Sequence, residues 1–374
     1  MPDNRPIYLD CAATTPLDPR VREVMLEYFD IEYGNAGSRT HMYGQEAAKA
    51  VRRAREQIGA VVNASPMEVI FTSGATESNN IVLLGCSPYA RSKDRRHIVT
   101  TAIEHKAVLE PMAEMERQGF EIDYIYPGES GRIDTKDIVQ SIRSDTALVS
   151  VMHINNETGV IQPIDEIADE LPEDGPIFHV DAAQGFTKDL RRLRHPRIDA
   201  ISASAHKICG PKGVGALILR ARRKASRKLT PLFHGGRQER GLRAGTLPVP
   251  LIAAFGYAAE LATTNHDQYR SIANCRKNEF RQQLKQHHAI IHGTEPTSPY
   301  IINFSIPNLD SEALILAVKH SAALATGSAC TSTEWKPSHV ISAMYKDGSF
   351  QDTACRASWC HMTPPIPSAF FSPI

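Results

Sequence analysis

No apolar run in this chain approaches the ~20 residues of a membrane-spanning helix. An excess of either charge is missing too, since 42 lysines and arginines balance 42 aspartates and glutamates. Without a net field to draw nucleic acid or an anionic membrane surface, partners must be recognised by local chemistry, and direct nucleic-acid binding is not expected. Cysteines are few and scattered: seven, at positions 11, 86, 209, 275, 330, 355 and 360, an odd number with no Cys-x-x-Cys pair. That spacing supports neither a disulfide framework nor a zinc site, so no metal is expected. One thiol is a candidate working group and the others read as small core residues. A basic-then-apolar leader is absent, the sequence opening Met1-Pro2-Asp3-Asn4-Arg5, and the expected location is the cytoplasm.

What the chain has is length and alternation. Its 374 residues exceed the ~250–300 at which a single core stops growing, which suits a large domain with a smaller one. Short apolar runs read as strands at Ile7–Asp10, Val69–Thr72, His97–Thr101, Ala147–Met152, Ile177–Val180 and Ile198–Ala203. From about residue 20 to 250 strands alternate with helical segments, which predicts a mostly parallel α/β sheet with helices on both faces and loops gathered at one edge. Beyond Leu251 the apolar spacing predicts one long helix of roughly forty residues. An alternating strand at Tyr300–Ile306 and a helix from Ser311 to Ala322 then suit a small α+β domain. The boundaries expected are 16–255 for the large domain and 1–15 plus 256–374 for the small one.

Chemistry-bearing residues cluster where strands end. Lys207 follows a strand, beside Ser202, Ser204 and His206, and Gly210-Pro211-Lys212-Gly213 must turn tightly after it. It is either a reactive amine or an exposed lysine in a polar turn. Ser73-Gly74-Ala75-Thr76 breaks from a strand into a helix, and backbone amides at such an N-terminus make a ready anion site; an ordinary capped helix reads the same way. His105 and Asp181 each follow a strand, where open parallel sheets bind ligands. Cys330, in Gly327-Ser328-Ala329-Cys330-Thr331-Ser332, has small neighbours that leave a thiol mobile; a buried core cysteine is the alternative. Arg356, in Arg356-Ala357-Ser358, offers the fork that pairs bidentately with a carboxylate.

Taken together, these stretches resemble the cysteine desulfurases of the class V aminotransferase-like enzymes, including those of DNA phosphorothioation systems. The resemblance runs from Tyr8 to about Met362 and rests on Tyr8-Leu9-Asp10 with Ala12-Ala13-Thr14-Thr15-Pro16, the Lys207 and Cys330 motifs, and Gln238-Glu239-Arg240-Gly241-Leu242-Arg243 before Gly245-Thr246. It implies a pyridoxal-phosphate-dependent transferase of fold type I, in which Lys207 carries the cofactor as a Schiff base. Gly74, Ala75 and Thr76 would cradle the phosphate with Ser204, His206 and, from the second subunit of a homodimer, Thr246. His105 would stack on the ring, Asp181 would keep the ring nitrogen protonated, and Gln184 would donate to its phenolic oxygen. L-cysteine would lie against Asn155, Arg356 and Asn35, giving up its sulfur to Cys330 as a persulfide bound for an acceptor protein. Iron–sulfur assembly, tRNA thiolation and sulfur modification of DNA all draw on such enzymes. Two departures stand out: Asn35-Ala36-Gly37-Ser38 replaces the usual Asn-Pro-Ser-Ser, and Thr363-Pro364-Pro365-Ile366-Pro367 cannot form the family's final helix. A selenocysteine lyase or another enzyme on the same scaffold, or a sulfur-relay subunit that mainly docks a partner, remain as other readings.

Overall fold

A computed structural model describes residues 5–221, 229–326, 337–367 and 371. In chain order it contains β1 (Ile7–Tyr8), α1 (Pro19–Asp30), α2 (Met42–Val61), β2 (Val69–Thr72), α3 (Ala75–Leu83), α4 (Ser87–Ser92), β3 (His97–Thr101), α5 (Lys106–Arg117) and β4 (Glu121–Ile125). There follow α6 (Thr135–Gln140), β5 (Thr146–Met152), α7 (Ile164–Glu170), β6 (Ile177–Asp181), α8 (Leu190–Leu193), β7 (Ala200–Ser204) and β8 (Gly215–Leu219). The remainder comprises α9 (Val249–Thr264), α10 (His266–Gln286), β9 (Ile290–His292), β10 (Ile301–Ser305), α11 (Ser311–Val318), β11 (Ala322–Ala323), β12 (Ala325–Thr326), α12 (His339–Met344) and β13 (Cys355–Ser358).

Seven strands form the main sheet in the order β2-β8-β7-β6-β5-β3-β4. Strands β7, β6, β5, β3 and β4 are parallel, and β8 runs antiparallel to both of its neighbours. Every residue of β5, β6 and β7 is buried, as strands covered by helices on both faces must be. Polar residues inside this sheet are matched to one another: His179 lies between the hydroxyls of Ser150 (2.8 Å) and Ser202 (3.0 Å). The edge strand β4, with its mixed Glu-Ile-Asp-Tyr-Ile sequence, carries too weak a pattern to be legible beforehand.

A second sheet, β12-β13-β10-β9, packs around Phe280, Phe304, Trp359 and Phe371. Trp359 satisfies its indole N–H on the carbonyls of Ala273 (3.1 Å) and Pro299 (2.8 Å). The N-terminal segment lies beside this sheet: β1 pairs in parallel with β11 as a separate two-stranded sheet, and Asp10 makes an isolated bridge to Ser358 of β13. Among the described residues no helix is long and apolar enough to cross a membrane.

Four elements differ from the sequence reading. The helix from Ser311 ends at Val318, and Ala322 belongs to β11. The first strand stops at Tyr8, because Tyr8 turns its hydroxyl onto the Asp10 and Thr14 carbonyls and the chain leaves the sheet. The single helix after Leu251 is two, α9 and α10, separated at Asn265, whose amide returns to the Leu261 carbonyl at 2.8 Å in a helix-stop geometry. Strand β10 is buried at every position rather than on alternate ones, with Asn303 reaching the Glu157 carbonyl at 3.4 Å.

Phe280 is fully buried and meets Phe304 edge-on at 5.4 Å between ring centroids. Phe280→Ala is expected to cost about 3–5 kcal/mol, read as a lower denaturation midpoint with an unchanged slope in denaturant.

Candidate active site

The carboxyl ends of β2, β3, β5, β6 and β7 meet at one edge of the main sheet, and a cavity of about 530 Å³ opens there. At the end of β2, Gly74 leads into α3, whose first-turn amides, Ala75 and Thr76 among them, face no intrahelical acceptor. Gly74 can sit so deep because its neighbour across the sheet is Gly215: a Cβ on Gly215 would lie 2.5 Å from the Gly74 Cα. The Ser204 hydroxyl stands 3.5 Å from where a Gly74 side chain would begin. A helix N-terminus, a serine and a close-approaching glycine, with Lys212 and His206 on the same cavity, form a donor set suited to a phosphate.

Asp181 ends β6 on the cavity floor with its carboxylate fixed on both oxygens. Asn79 donates to Oδ2 at 2.7 Å and the Ala183 N–H to Oδ1 at 2.9 Å. Beneath it, burial drives His179 down to about 4, so this ring is neutral and adds no cation against Asp181 from the sheet side. Gln184 donates to the Ala12 carbonyl at 2.8 Å, while its Oε1 is buried without a protein partner. Lys207, in the turn after β7, donates to the carbonyls of Ala12 (2.6 Å) and Ala13 (2.7 Å). These carbonyls belong to the N-terminal segment, so the wall opposite the sheet comes from residues 12 and 13.

His105 caps α5, its Nδ1 accepting from the Ala107 N–H at 3.0 Å. Burial lowers its affinity for a proton, against the opposing pull of Asp181, and the neutral ring then carries its proton on Nε2. His206 touches Thr14 Oγ1 at 3.1 Å, and burial, aided by Lys207 and Lys212, drives it down to about 4. Arg356 on β13 is 1% exposed yet lines the cavity, with one amine on Asp10 at 2.6 Å and the other on the Asn156 carbonyl at 3.0 Å.

The structure thus gathers Lys207, Gly74, Ala75, Thr76, His105, Asp181, Gln184, Ser204, His206 and Arg356 around one cavity. Asn155 is not among its lining residues. Its side-chain amide ties its own loop to the one after β3, donating to the Ile103 carbonyl and accepting from the N–H groups of Glu157 and Thr158, and Asn156 lines the cavity. Asn35 and Thr246 lie outside this cavity on exposed loops, Asn35 holding the Gly37 N–H at 2.8 Å. Cys330 lies outside the described residues. Asn79, Asp10 and Glu104 escaped the sequence reading because each acts through a neighbour, Asn79 on Asp181 and Asp10 on Arg356. The Gln238–Thr246 motif also has work within its own chain: the buried Glu239 carboxylate accepts from the Phe71 N–H at 2.8 Å and from Arg55, and Arg243 pairs with Glu77 at the phosphate-side helix at 2.8 Å.

A lysine, a fixed carboxylate and an anion cradle at the carboxyl edge of such a sheet define the class V aminotransferases. The chain matches the Aminotransferase class-V family over residues 7–364. Within that class it belongs to the cysteine desulfurases. It is 45% identical to cysteine desulfurase IscS of Anaeromyxobacter dehalogenans, over 91% of this chain and 84% of that one. Among solved structures, a NifS-like protein superposes with a TM-score of 0.89 at 34% identity, covering 98% of this chain and 97% of the other. DndA from Streptomyces lividans superposes at 0.81 with 44% identity, over 94% and 99%.

Glu104 generates a pH prediction. It is fully buried, accepting from the Met152 N–H at 2.8 Å and the Thr101 hydroxyl at 2.7 Å, and burial pushes it from 4.5 up to about 8. The folded state therefore keeps a proton that the unfolded state releases, so its contribution to stability is full below about 4.5 and is lost as pH rises through about 8. Glu104→Gln should remove this loss: the difference in unfolding free energy between variant and parent should grow in the variant's favour from pH 5 to pH 8.

Proposed function

We propose that this cavity holds pyridoxal 5'-phosphate and that the chain uses it, as a homodimer, to turn L-cysteine into L-alanine while passing the sulfur to an acceptor protein. The observation that carries this reading is the pairing of Asp181, locked by Asn79 and Ala183, with the Lys207 amine on the same cavity. Bound there, pyridoxal phosphate supplies an aldehyde for amines and a protonated ring that draws electrons from the substrate's Cα. Asp181 would hold the proton on the ring nitrogen, which a neutral His179 below does not contest. Gly74, Ala75, Thr76, Ser204 and His206 would hold the phosphate, and Gln184 would serve the ring's hydroxyl group.

Arg356 receives the substrate carboxylate. Asp10 and the Asn156 carbonyl fix the guanidinium plane before substrate arrives, so little order is lost on binding. Lys207 takes the proton from Cα and returns it. His105, neutral with its proton on Nε2, moves a proton at the substrate's reacting end. The thiolate of Cys330 attacks the cysteine sulfur; the C–S bond breaks, its electron pair stays with the substrate's Cβ, which takes up a proton to become the methyl group of alanine, and the sulfur remains on Cys330 as a persulfide.

Thr246 and Asn35 complete the site from loops whose exposure supports a second subunit as their destination; Tyr33, Tyr43 and Phe233 near them are exposed apolar side chains that an interface would cover. The acceptor serves iron–sulfur assembly, tRNA thiolation or DNA phosphorothioate modification, and the working location is the cytoplasm.

With L-cysteine and a thiol reductant, the wild type should release alanine and sulfide in equal amounts. Cys330→Ser should keep its cofactor absorbance but lose at least tenfold in sulfide release, and unchanged release would remove Cys330 from its role. Lys207→Ala should lose the visible absorbance of the lysine-bound cofactor; a variant that keeps it would place the attachment elsewhere.

A further inference from the structure

Behind Lys207, on the side away from the main cavity, three thiols meet. Cys11, Cys209 and Cys360 form a buried cluster, 2%, 4% and 6% exposed, closed by Tyr8 and Met362. They come from three distant parts of the chain: the N-terminal segment, the turn after Lys207, and the segment following β13. Cys360 packs against both other thiols. The Thr363 hydroxyl lies 3.9 Å from its sulfur. Nearby stand His361, whose Nδ1 is 4.0 Å from Cys209 Sγ, and the half-buried Lys188, whose ammonium rests 5.3 Å from the Tyr300 ring centre. The Cys11 and Cys209 thiols beside it hold Cys360 well below an ordinary thiol, while both partners are held above it.

A separate cavity of about 40 Å³ adjoins the cluster, lined by Cys209, Cys360, His361, Lys188 and Lys207. It has room for a molecule the size of water or peroxide, not for glutathione. Among the described residues no set of His, Cys, Asp or Glu side chains is arranged to hold a metal ion, and the three thiols adjoin one another within reach of this cavity.

We propose that Cys360, which faces the small cavity, is a hydroperoxide-reactive thiol, with Cys11 or Cys209 as its resolving partner. The Cys360 sulfur attacks one oxygen of hydrogen peroxide, the O–O bond breaks, and hydroxide leaves and takes up a proton as water. Cys360 is thereby oxidised by two electrons to a sulfenic acid. The Cys11 or Cys209 thiol then attacks that sulfur, the S–O bond breaks, water leaves and a disulfide forms. In sum two thiols and one peroxide give one disulfide and two waters. Both resolving residues are tied to the Schiff-base lysine: Cys11 precedes the Ala12 and Ala13 carbonyls that hold Lys207, and Cys209 lies two residues beyond it. Disulfide formation on either side therefore draws on a wall of the catalytic cavity.

The test is peptide mapping of the holoenzyme after brief exposure to hydrogen peroxide, with remaining thiols alkylated under denaturing conditions. It is run also on Cys330→Ser, so that the result does not depend on the desulfurase reading. A peptide linking Cys360 to Cys11 or Cys209, reversed by dithiothreitol and lost in Cys360→Ala, is expected, while Cys86, buried apart from the cluster, stays alkylated. Oxidised glutathione should leave the cluster reduced. In Cys11→Ala the link should shift to Cys209, and in the Cys11→Ala, Cys209→Ala double variant Cys360 should be captured by dimedone as the sulfenic acid. Three results would overturn the proposal: full alkylation of all three cluster residues after the exposed Cys275 has been oxidised, no dimedone adduct at Cys360 in the double variant, or zinc retained by these thiols and shielding them.

Discussion

The segment from Leu9 to Asp18 is the constraint on which the site depends. It has little secondary structure of its own, and many of its groups are satisfied by distant parts of the chain. Leu9 accepts from the Ser358 N–H at 2.8 Å, and the Ala12 N–H donates to the Ser358 hydroxyl at 2.8 Å. Ala12 also accepts from Gln184 and Lys207, and Thr15 is bonded to His206 and Cys209 on either side of the lysine. One strip of chain thus fastens the smaller sheet to the turn that bears the reactive amine. Each buried polar group in it would cost about 1–3 kcal/mol if left unpaired, so the strip holds a single course.

The charges around the cavity follow from burial. His179 and His206 are kept neutral by their surroundings, His105 is biased the same way, and Glu104 retains its proton to about 8. Three charged groups on the cavity, Asp181, Lys207 and Arg356, are each oriented by a neighbour. Asn79 serves Asp181, Asp10 serves Arg356, and the Ala12 and Ala13 carbonyls serve Lys207.

Much of this was legible in the sequence because strand ends are marked there. Val69–Thr72 followed by a glycine, the buried run into Asp181, and the serine-rich strand into Lys207 each combine an apolar stretch with an abrupt polar stop, and such stops sit at the binding edge of a parallel sheet. Two asparagines follow β5, and composition does not say which of them lines the cavity; in the structure it is Asn156. The partners Asn79, Asp10 and Glu104 were out of reach, since their roles appear only when segments tens to hundreds of residues apart are brought together. The break at Asn265 was lost in an apolar spacing that continues through it.

The strip from Leu9 to Asp18 also sets the order of assembly. Its partners include Ser358, Arg356 and the β11 pair, more than three hundred residues later in the chain. During synthesis the large sheet has all its strands by residue 219, but the wall facing Lys207 must wait for β13 before it can be fixed. Contacts so far apart in sequence close slowly, because the entropy of a very long loop is lost before any contact is gained. The large sheet can therefore stand before the strip closes over Lys207, and the shape of that wall is settled late in folding.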